Sequence, residues 1–347
     1  MSADDIVVVS AGAVTAVGLT LVETAASVRA GIMRFVEAPW PDQEPFVIAQ
    51  PPEAGIPDLE PDLAASFTTR EIRMLRLAKP AISECLGPIR ALGERIVLVA
   101  GLPDYEMKFL RGPTAFLRQL AAECGAALES YFGAPGGRAG GLLAMRHGMD
   151  LLSSGQAGWV LAGAADSYFQ LDVLGQLDGE GRLKSSRHMD GFIPGEGAGW
   201  LLLTRRAKAE RAGLPVLAAL SAVAAGVEEG HIYSPAPYLG DGLARTLDIL
   251  SGNGLSEPVR EVYSSMNGER YWSKEWGVAF LRHRAAFHPE CRMHHPADSF
   301  GDTGAACGPL LVSLAITGIR EGYRYAPCLV YSSSDHGERA AVLVSAA

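Results

Sequence analysis

The sequence predicts a layered α/β fold with buried sheets. Short β-branched apolar runs recur along the chain, and stretches with apolar spacing of three and four separate them. One segment, residues 129–168, spells out a strand, a glycine-lined turn, a long helix and a second strand. The first strand is Ile6–Ser10, an apolar run of the kind buried on both faces. A helix follows over Leu21–Gly31, its apolar residues spaced for one packed face. Ala38–Asp62, rich in Pro, Asp and Glu, reads as an irregular surface excursion. Strands return at Ile96–Gly101, Trp159–Ala164 and Trp200–Thr204. A second series with similar grammar begins after Gly213: strands at Val216–Ala224, Glu261–Ser265, Cys328–Tyr331 and Ala340–Val344, with a core-packed helix from Gly242 to Leu250.

Composition narrows the function. The chain has 347 residues, 48% of them hydrophobic, enough to bury a large core as one or two domains. A formal net charge of −9 with no basic block argues against nucleic acid as the main partner. The start, MSADDIVVVSAG, lacks the basic region of a signal peptide, and no apolar stretch reaches the ~18–20 residues of a membrane span. The expected setting is the cytoplasm. Five cysteines without CxxC spacing predict neither a disulfide framework nor a zinc site. Cys291 with His294 and His295 has ligand residue types but no matching partner pair, so no metal is expected. The glycines of Gly195–Gly199 lack the lysine of a phosphate loop and lead into a strand, so no cofactor is expected there either.

Six ordered segments resemble the β-ketoacyl synthases of the thiolase superfamily. They are Ile6–Gly18 (first strand and turn), Leu152–Ser167 (helix end and strand), and Asp190–Gly199, close to the DGFxxGEGAG signature. The others are Gly242–Leu255 followed by Val259–Gly268, then Ser299–Ala306 and the closing strand pair Val330–Val344. The resemblance implies the five-layer αβαβα thiolase fold built from two similar halves, here 1–210 and 211–347. It also implies fatty-acid or polyketide chemistry on acyl thioesters, a homodimer or a heterodimer with another ketosynthase-like protein, and acyl carrier protein as a further partner.

The catalytic positions depart from the family. Its cysteine nucleophile sits 17 residues before the glycine of an LxxSG turn; here that glycine is Gly155 and the position is Arg138. Neighbouring Gly136, Gly137, Ala139, Gly140 and Gly141 offer no nucleophile, and a guanidinium does not form a thioester. An arginine at a helix N-terminus opposes the helix dipole, which calls for an acidic partner such as Glu269 or Asp302, or for solvent. The first family histidine corresponds to Asn267, which could still donate a hydrogen bond to an oxyanion but cannot shuttle a proton. A turn asparagine before Gly268 is an equal reading. The second histidine corresponds to Gly301, or to Asp302 after a one-residue shift; an aspartate can act as base, or simply cap a backbone N–H in its Gly-Asp-Thr-Gly turn. The closing loop, Ser332–Glu338, is polar where the family has a glycine- and phenylalanine-rich gate. Asp335 and His336 in it suggest a hydrolytic pair, although adjacent strand residues point apart.

Three functions follow. The resemblance to chain-length factors, which lack the cysteine and pair with an active ketosynthase, implies a non-condensing partner or scaffold; degenerate ketosynthase-like proteins of bacterial secretion clusters suggest an adaptor. A second reading is a divergent acyl-thioester enzyme, an acyltransferase, hydrolase or decarboxylase, using Asn267 with Asp302 or His336. A third moves the nucleophile to Cys307, which otherwise reads as an ordinary small core residue.

Overall fold

The computed structural model describes residues 2–38, 45–104, 109, 111–221, 223–252, 255 and 257–347. Its strands are β1 (Ile6–Val14), β2 (Val36–Ala38), β3 (Phe46–Ile48), β4 (Ile96–Leu102), β5 (Leu128–Pro135), β6 (Val160–Ser167) and β7 (Glu196–Arg205). They continue with β8 (Ala218–Leu220), β9 (Ala224–Val227), β10 (Val259–Ser264), β11 (Phe287–His294), β12 (Cys328–Ser333) and β13 (Glu338–Ser345). One series runs β5-β4-β6-β7-β1 and the other β11-β10-β12-β13-β8, with β9 also on β13. The two join where β8 pairs with β1 at Val7–Ala219 and Val8–Ala218.

Strand side chains alternate between two buried environments, which is why these strands read as unbroken apolar runs. In β1, Val7 and Val9 face an outer core that includes Met74 and Ile82 of the Thr69–Leu86 helix. Val8 faces the opposite way, into a middle core shared with Leu142, Leu311 and Val330. That middle layer holds the Gly140–Ser153 and Cys307–Arg320 helices. A third core, including Leu243, Val262 and Leu343, covers the far face of the second sheet beneath the Asp241–Leu247 and Arg270–Arg282 helices. Helix, sheet, helix, sheet, helix is the five-layer αβαβα arrangement.

Several elements differ from the sequence reading. The expected strand Val216–Ala224 is divided into β8 and β9. The Leu21 helix stops at Arg29 and the Gly242 helix runs Asp241–Leu247. Residues 253 and 254 of the Gly242–Leu255 segment lie outside the described residues. The Ala38–Asp62 excursion is less irregular than its composition suggests, for β2 and β3 pair across it; residues 39–44 lie outside the described residues. Phe46 and Ile48 anchor it in a small core with Leu174, Leu177 and Phe192, so burial of two side chains outweighs the surrounding prolines.

Candidate functional site

The elbow is built by glycines. β5 ends at Pro135, and Gly136 (φ 154°) and Gly137 (φ 52°) turn the chain through backbone conformations that a Cβ disfavours. The elbow helix, Gly140–Ser153, then starts in a wedge too tight for side chains. A Cβ on Gly140 would lie 2.8 Å from the Leu102 carbonyl oxygen, and one on Gly141 would lie 2.3 Å from Pro309 Cδ. Arg138 sits at the apex, 3% exposed, where the helix N-terminus and the sheet ends meet.

Its guanidinium closes a ring of six side chains. Arg138 Nη1 donates to Asp302 Oδ2 at 2.9 Å, and Nη2 donates to Asp335. Asn267 Nδ2 donates to the same Asp302 oxygen at 2.8 Å and to Glu269 Oε2 at 3.2 Å. Arg182 grips Glu269 with two bonds, 2.7 and 2.9 Å, and reaches Asp335 Oδ2 at 2.8 Å. Trp272 forms one wall, its ring centroid 4.0 Å from the Arg138 guanidinium carbon and its Nε1 donating to Glu269 at 2.9 Å. Two guanidiniums thus face three carboxylates, all but Asp335 under a tenth exposed.

Charge and burial compete here, and the outcome differs between the two aspartates. Burial raises the Asp335 pKa, but Arg138 and Arg182 outweigh it and hold the carboxyl at about 2. Burial also raises Asp302, and there the Arg138 charge, the Gly304 N–H and the Asn267 amide only partly offset it. Both guanidiniums are burdened by desolvation and are raised despite it, because the carboxylates prevail.

The closing hairpin seals the elbow. Ser334 N donates to the Glu338 carbonyl at 2.9 Å, turning β12 into β13. Ser332 Oγ donates to the Arg138 carbonyl at 2.7 Å. Ala139 N–H, the donor just after the apex, is taken by Ser334 Oγ at 2.8 Å, and that hydroxyl donates in turn to the Gly136 carbonyl. A backbone donor that could receive an anion is therefore already satisfied. Behind the hairpin, Arg339 and Glu275 form a buried pair at 2.6 Å, and Ser333 Oγ donates to Glu275 at 2.7 Å.

Arg138, Asn267 and Asp302 are brought together, although they are up to 164 positions apart. Of the two partners named for Arg138, Asp302 binds it, whereas the Glu269 carboxylate is held by Arg182 and Trp272. Asp302 does both things open to it: Oδ2 receives Arg138 and Asn267, while Oδ1 accepts the Gly304 N–H at 2.9 Å. Gly301 contributes no functional group. Its φ of 73° and the 2.9 Å from its would-be Cβ to Ala49 Cβ make it a close backbone crossing. Asp335 and His336 do not orient each other. Asp335 is engaged by both arginines, while His336 lies 3.3 Å from Asp104 Oδ2 and stacks on Tyr233 at 4.9 Å. Cys307 begins its helix and is buried, and burial pushes its thiol pKa well up, leaving it protonated and unreactive. Arg182, Trp272 and Ser334 were not singled out in the sequence. Each meets a partner far away in the chain: Arg182 meets Asp335, Trp272 meets Arg138 and Ser334 meets Ala139.

A cleft of about 200 Å³ remains over this floor, lined by Arg138, Asp335, His336, Tyr233, Asp104 and Tyr168 among others. Among the described residues no group of three or more His, Cys, Asp or Glu side chains could hold a metal ion, and no helix is long and apolar enough to cross a membrane.

Residues 137–209 match the family model for the β-ketoacyl synthase N-terminal domain. No curated protein matches the chain. Among solved structures, the chain is similar to one in the AntDE:AntF complex, a type II PKS acyl-carrier protein with its ketosynthase bound to the hexaketide. The identity is 16%, the TM-score 0.79, and the match covers 99% of this chain and 100% of that one. A chain of the ketosynthase ApeO in complex with its chain length factor ApeC, from Xenorhabdus doucetiae, matches at 16% identity and TM-score 0.78, covering 99% and 98%. The ketosynthase from module 6 of the bacillaene synthase of Bacillus subtilis 168 matches at 13% identity and TM-score 0.80, covering 99% of this chain and 72% of that one. The chain thus has the fold of the ketosynthases, with residues 137–209 similar to the β-ketoacyl synthase N-terminal domain and an arginine at the apex of the elbow.

Proposed function

We propose that this protein is a non-condensing partner of a ketosynthase-like subunit, in the manner of a chain length factor or of a scaffold that serves a secretion cluster. The observation that carries the reading is the ring closed by Arg138. The group at the apex is a buried cation held by two aspartates, where acyl transfer would need a thiolate. The ring also occupies the two positions expected to hold histidines, and Ser334 occupies the Ala139 N–H. No proton shuttle is available from Asn267, and Asp302 spends both oxygens on neighbours.

Partnership draws support from the relatives, two of which are complexes of a ketosynthase with a chain length factor. The exposed edge of the first sheet is β5, whose partner on one side is β4 and whose Phe132 is 36% exposed. An unpaired edge of this length is a template for strand pairing, so we assign the dimer contact to β5. Acyl carrier protein is the further partner this reading admits. We also read 1–210 and 211–347 as the two thiolase-like halves.

Intact-mass spectrometry after incubation with acyl-CoA and acyl-carrier-protein thioesters tests the reading, with thiol release followed in parallel. No acyl adduct and no thioester turnover are expected. A covalent adduct, or turnover above the uncatalysed rate, would instead establish an active acyl-thioester enzyme.

A further inference from the structure

A second cleft lies on another part of the molecule, and the reading of the Arg138 site does not bear on it. Its volume is about 300 Å³, and its lining combines Arg29, Tyr263, His295, Asp298, Tyr323 and Arg324 with an apolar floor that includes Val28 and Leu314. Arg29 ends the Leu21–Arg29 helix, and Arg324 follows the Cys307–Arg320 helix, so two separate elements deliver a guanidinium each. Both lie against one aromatic platform: the Arg29 guanidinium carbon is 4.3 Å from the Tyr323 ring centroid and that of Arg324 is 5.3 Å from it. Stacking on an aromatic face holds a guanidinium in place while leaving its in-plane N–H groups free to bind.

Neither arginine has a carboxylate partner among the described residues. Arg29 makes no hydrogen bond there, and Arg324 donates only to the Tyr263 hydroxyl at 3.2 Å and to the Tyr323 carbonyl at 3.3 Å. Because that Tyr263 hydroxyl accepts from Arg324, its own hydrogen is left to donate into the cleft. The imidazoles add no competing anion: His294 is turned to Glu261 at 2.6 Å, and His295 shares a hydrogen bond with Ser264 at 2.9 Å. Asp298 is the one carboxylate in the lining, exposed at the rim, so two guanidiniums and a phenol outnumber it.

From this arrangement we infer a binding site for a small oxyanion, a phosphate group above all, held between Arg29 and Arg324 with the Tyr263 hydroxyl as third donor. Guanidinium pairs with phosphate by parallel N–H···O bonds, and a stacked guanidinium is already ordered for it. The apolar floor gives room for the organic part of a phosphate monoester.

Isothermal titration of the whole protein with inorganic phosphate at low ionic strength tests the site, and glycerol phosphate serves as a second probe. We expect saturable binding with a Kd of about 1 mM or tighter, weakened roughly tenfold or more by Arg29→Gln or Arg324→Gln. Arg260→Gln, outside the cleft lining, leaves the affinity unchanged. Tighter binding of glycerol phosphate than of phosphate places an organic group on the floor, and equal binding assigns the site to the free oxyanion. Absence of saturable binding, wild-type affinity in both cleft variants, or equal weakening by Arg260→Gln would each overturn the inference. Should Arg324→Gln perturb the fold by circular dichroism, Arg29→Gln, on an exposed helix end, carries the test alone.

Discussion

At the scale of single residues, what governs this site is the cost of burying charge. Arg138 is tolerated because Asp302 and Asp335 accept its Nη donors, and they are tolerated because it is there. Arg138→Ala should therefore destabilise the protein by roughly 3–5 kcal/mol, since it leaves carboxylates buried without their counter-ion. Chemical unfolding of the variant measures this, and a loss under about 1 kcal/mol would show that water replaces the arginine. On the proposed non-condensing reading, Arg138→Cys should give no condensation product even if folded, because Asn267 and Asp302 cannot replace two histidines; mass analysis of the products reads the outcome. The two aspartates also respond to acid in opposite senses. Asp335, held at about 2, stabilises the fold above its unfolded value of about 3.9 and loses that contribution as the pH falls between them. Asp302 is raised, so its burden grows as pH rises through its folded value and eases in acid. Urea unfolding at a series of pH values should thus show a shallower decline between about pH 4 and pH 2 in Asp335→Asn than in the wild type.

Between elements, the closing hairpin and the elbow helix depend on each other. Ser334 joins them by accepting the Ala139 N–H and donating to the Gly136 carbonyl, a capping arrangement supplied from 195 positions away. Ser334→Ala removes both bonds but leaves the Ala139 N–H on the Gly136 carbonyl at 3.0 Å, so it should cost only about 1 kcal/mol, read as a slightly lower melting temperature. The elbow helix and the Cys307–Arg320 helix pack through Gly141, whose added Cβ would strike Pro309 Cδ at 2.3 Å and the Ala305 carbonyl at 2.6 Å. Gly141→Ala should cost about 1–3 kcal/mol by overpacking, and exposed Gly87→Ala, whose Cβ meets nothing within 4 Å, serves as its control. Among the helices that escaped the sequence reading, Thr69–Leu86 is the longest. Its signal was present as a capping box, Thr68 to Glu71, in which the Glu71 N–H donates to Thr68 Oγ1 at 3.2 Å and Glu71 Oε2 accepts the Thr68 N–H at 2.8 Å. Pro80 within it masks the periodicity.

For the whole molecule, the two sheets leave β5 and β11 as edges, and the proposed assembly uses the first. Light scattering at micromolar concentration should report a dimer, alone or after mixing with a ketosynthase-like partner. A charged substitution on the strand, Phe132→Glu, should shift the mass toward the monomer without unfolding the chain. A strictly monomeric wild type under both conditions would remove β5 from that role.

The sequence by itself determined most strands of the two series, the glycine elbow and an arginine, not a thiol, at its apex. These are local matters, set by periodicity, by backbone freedom and by residue identity. It also pointed to Asn267 and Asp302 through their turns, yet left open whether Asp302 caps a backbone group or meets a charge. Only the tertiary structure decided that it does both, that Glu269 serves Arg182 instead of Arg138, and that Asp335 and His336 turn to different partners. Such pairings join residues far apart in the chain, as His336 and Asp104 are, and no short-range pattern encodes them. They are selected when the sheets bring five buried charges into one low-dielectric space, where each charge must find its complement for the fold to form.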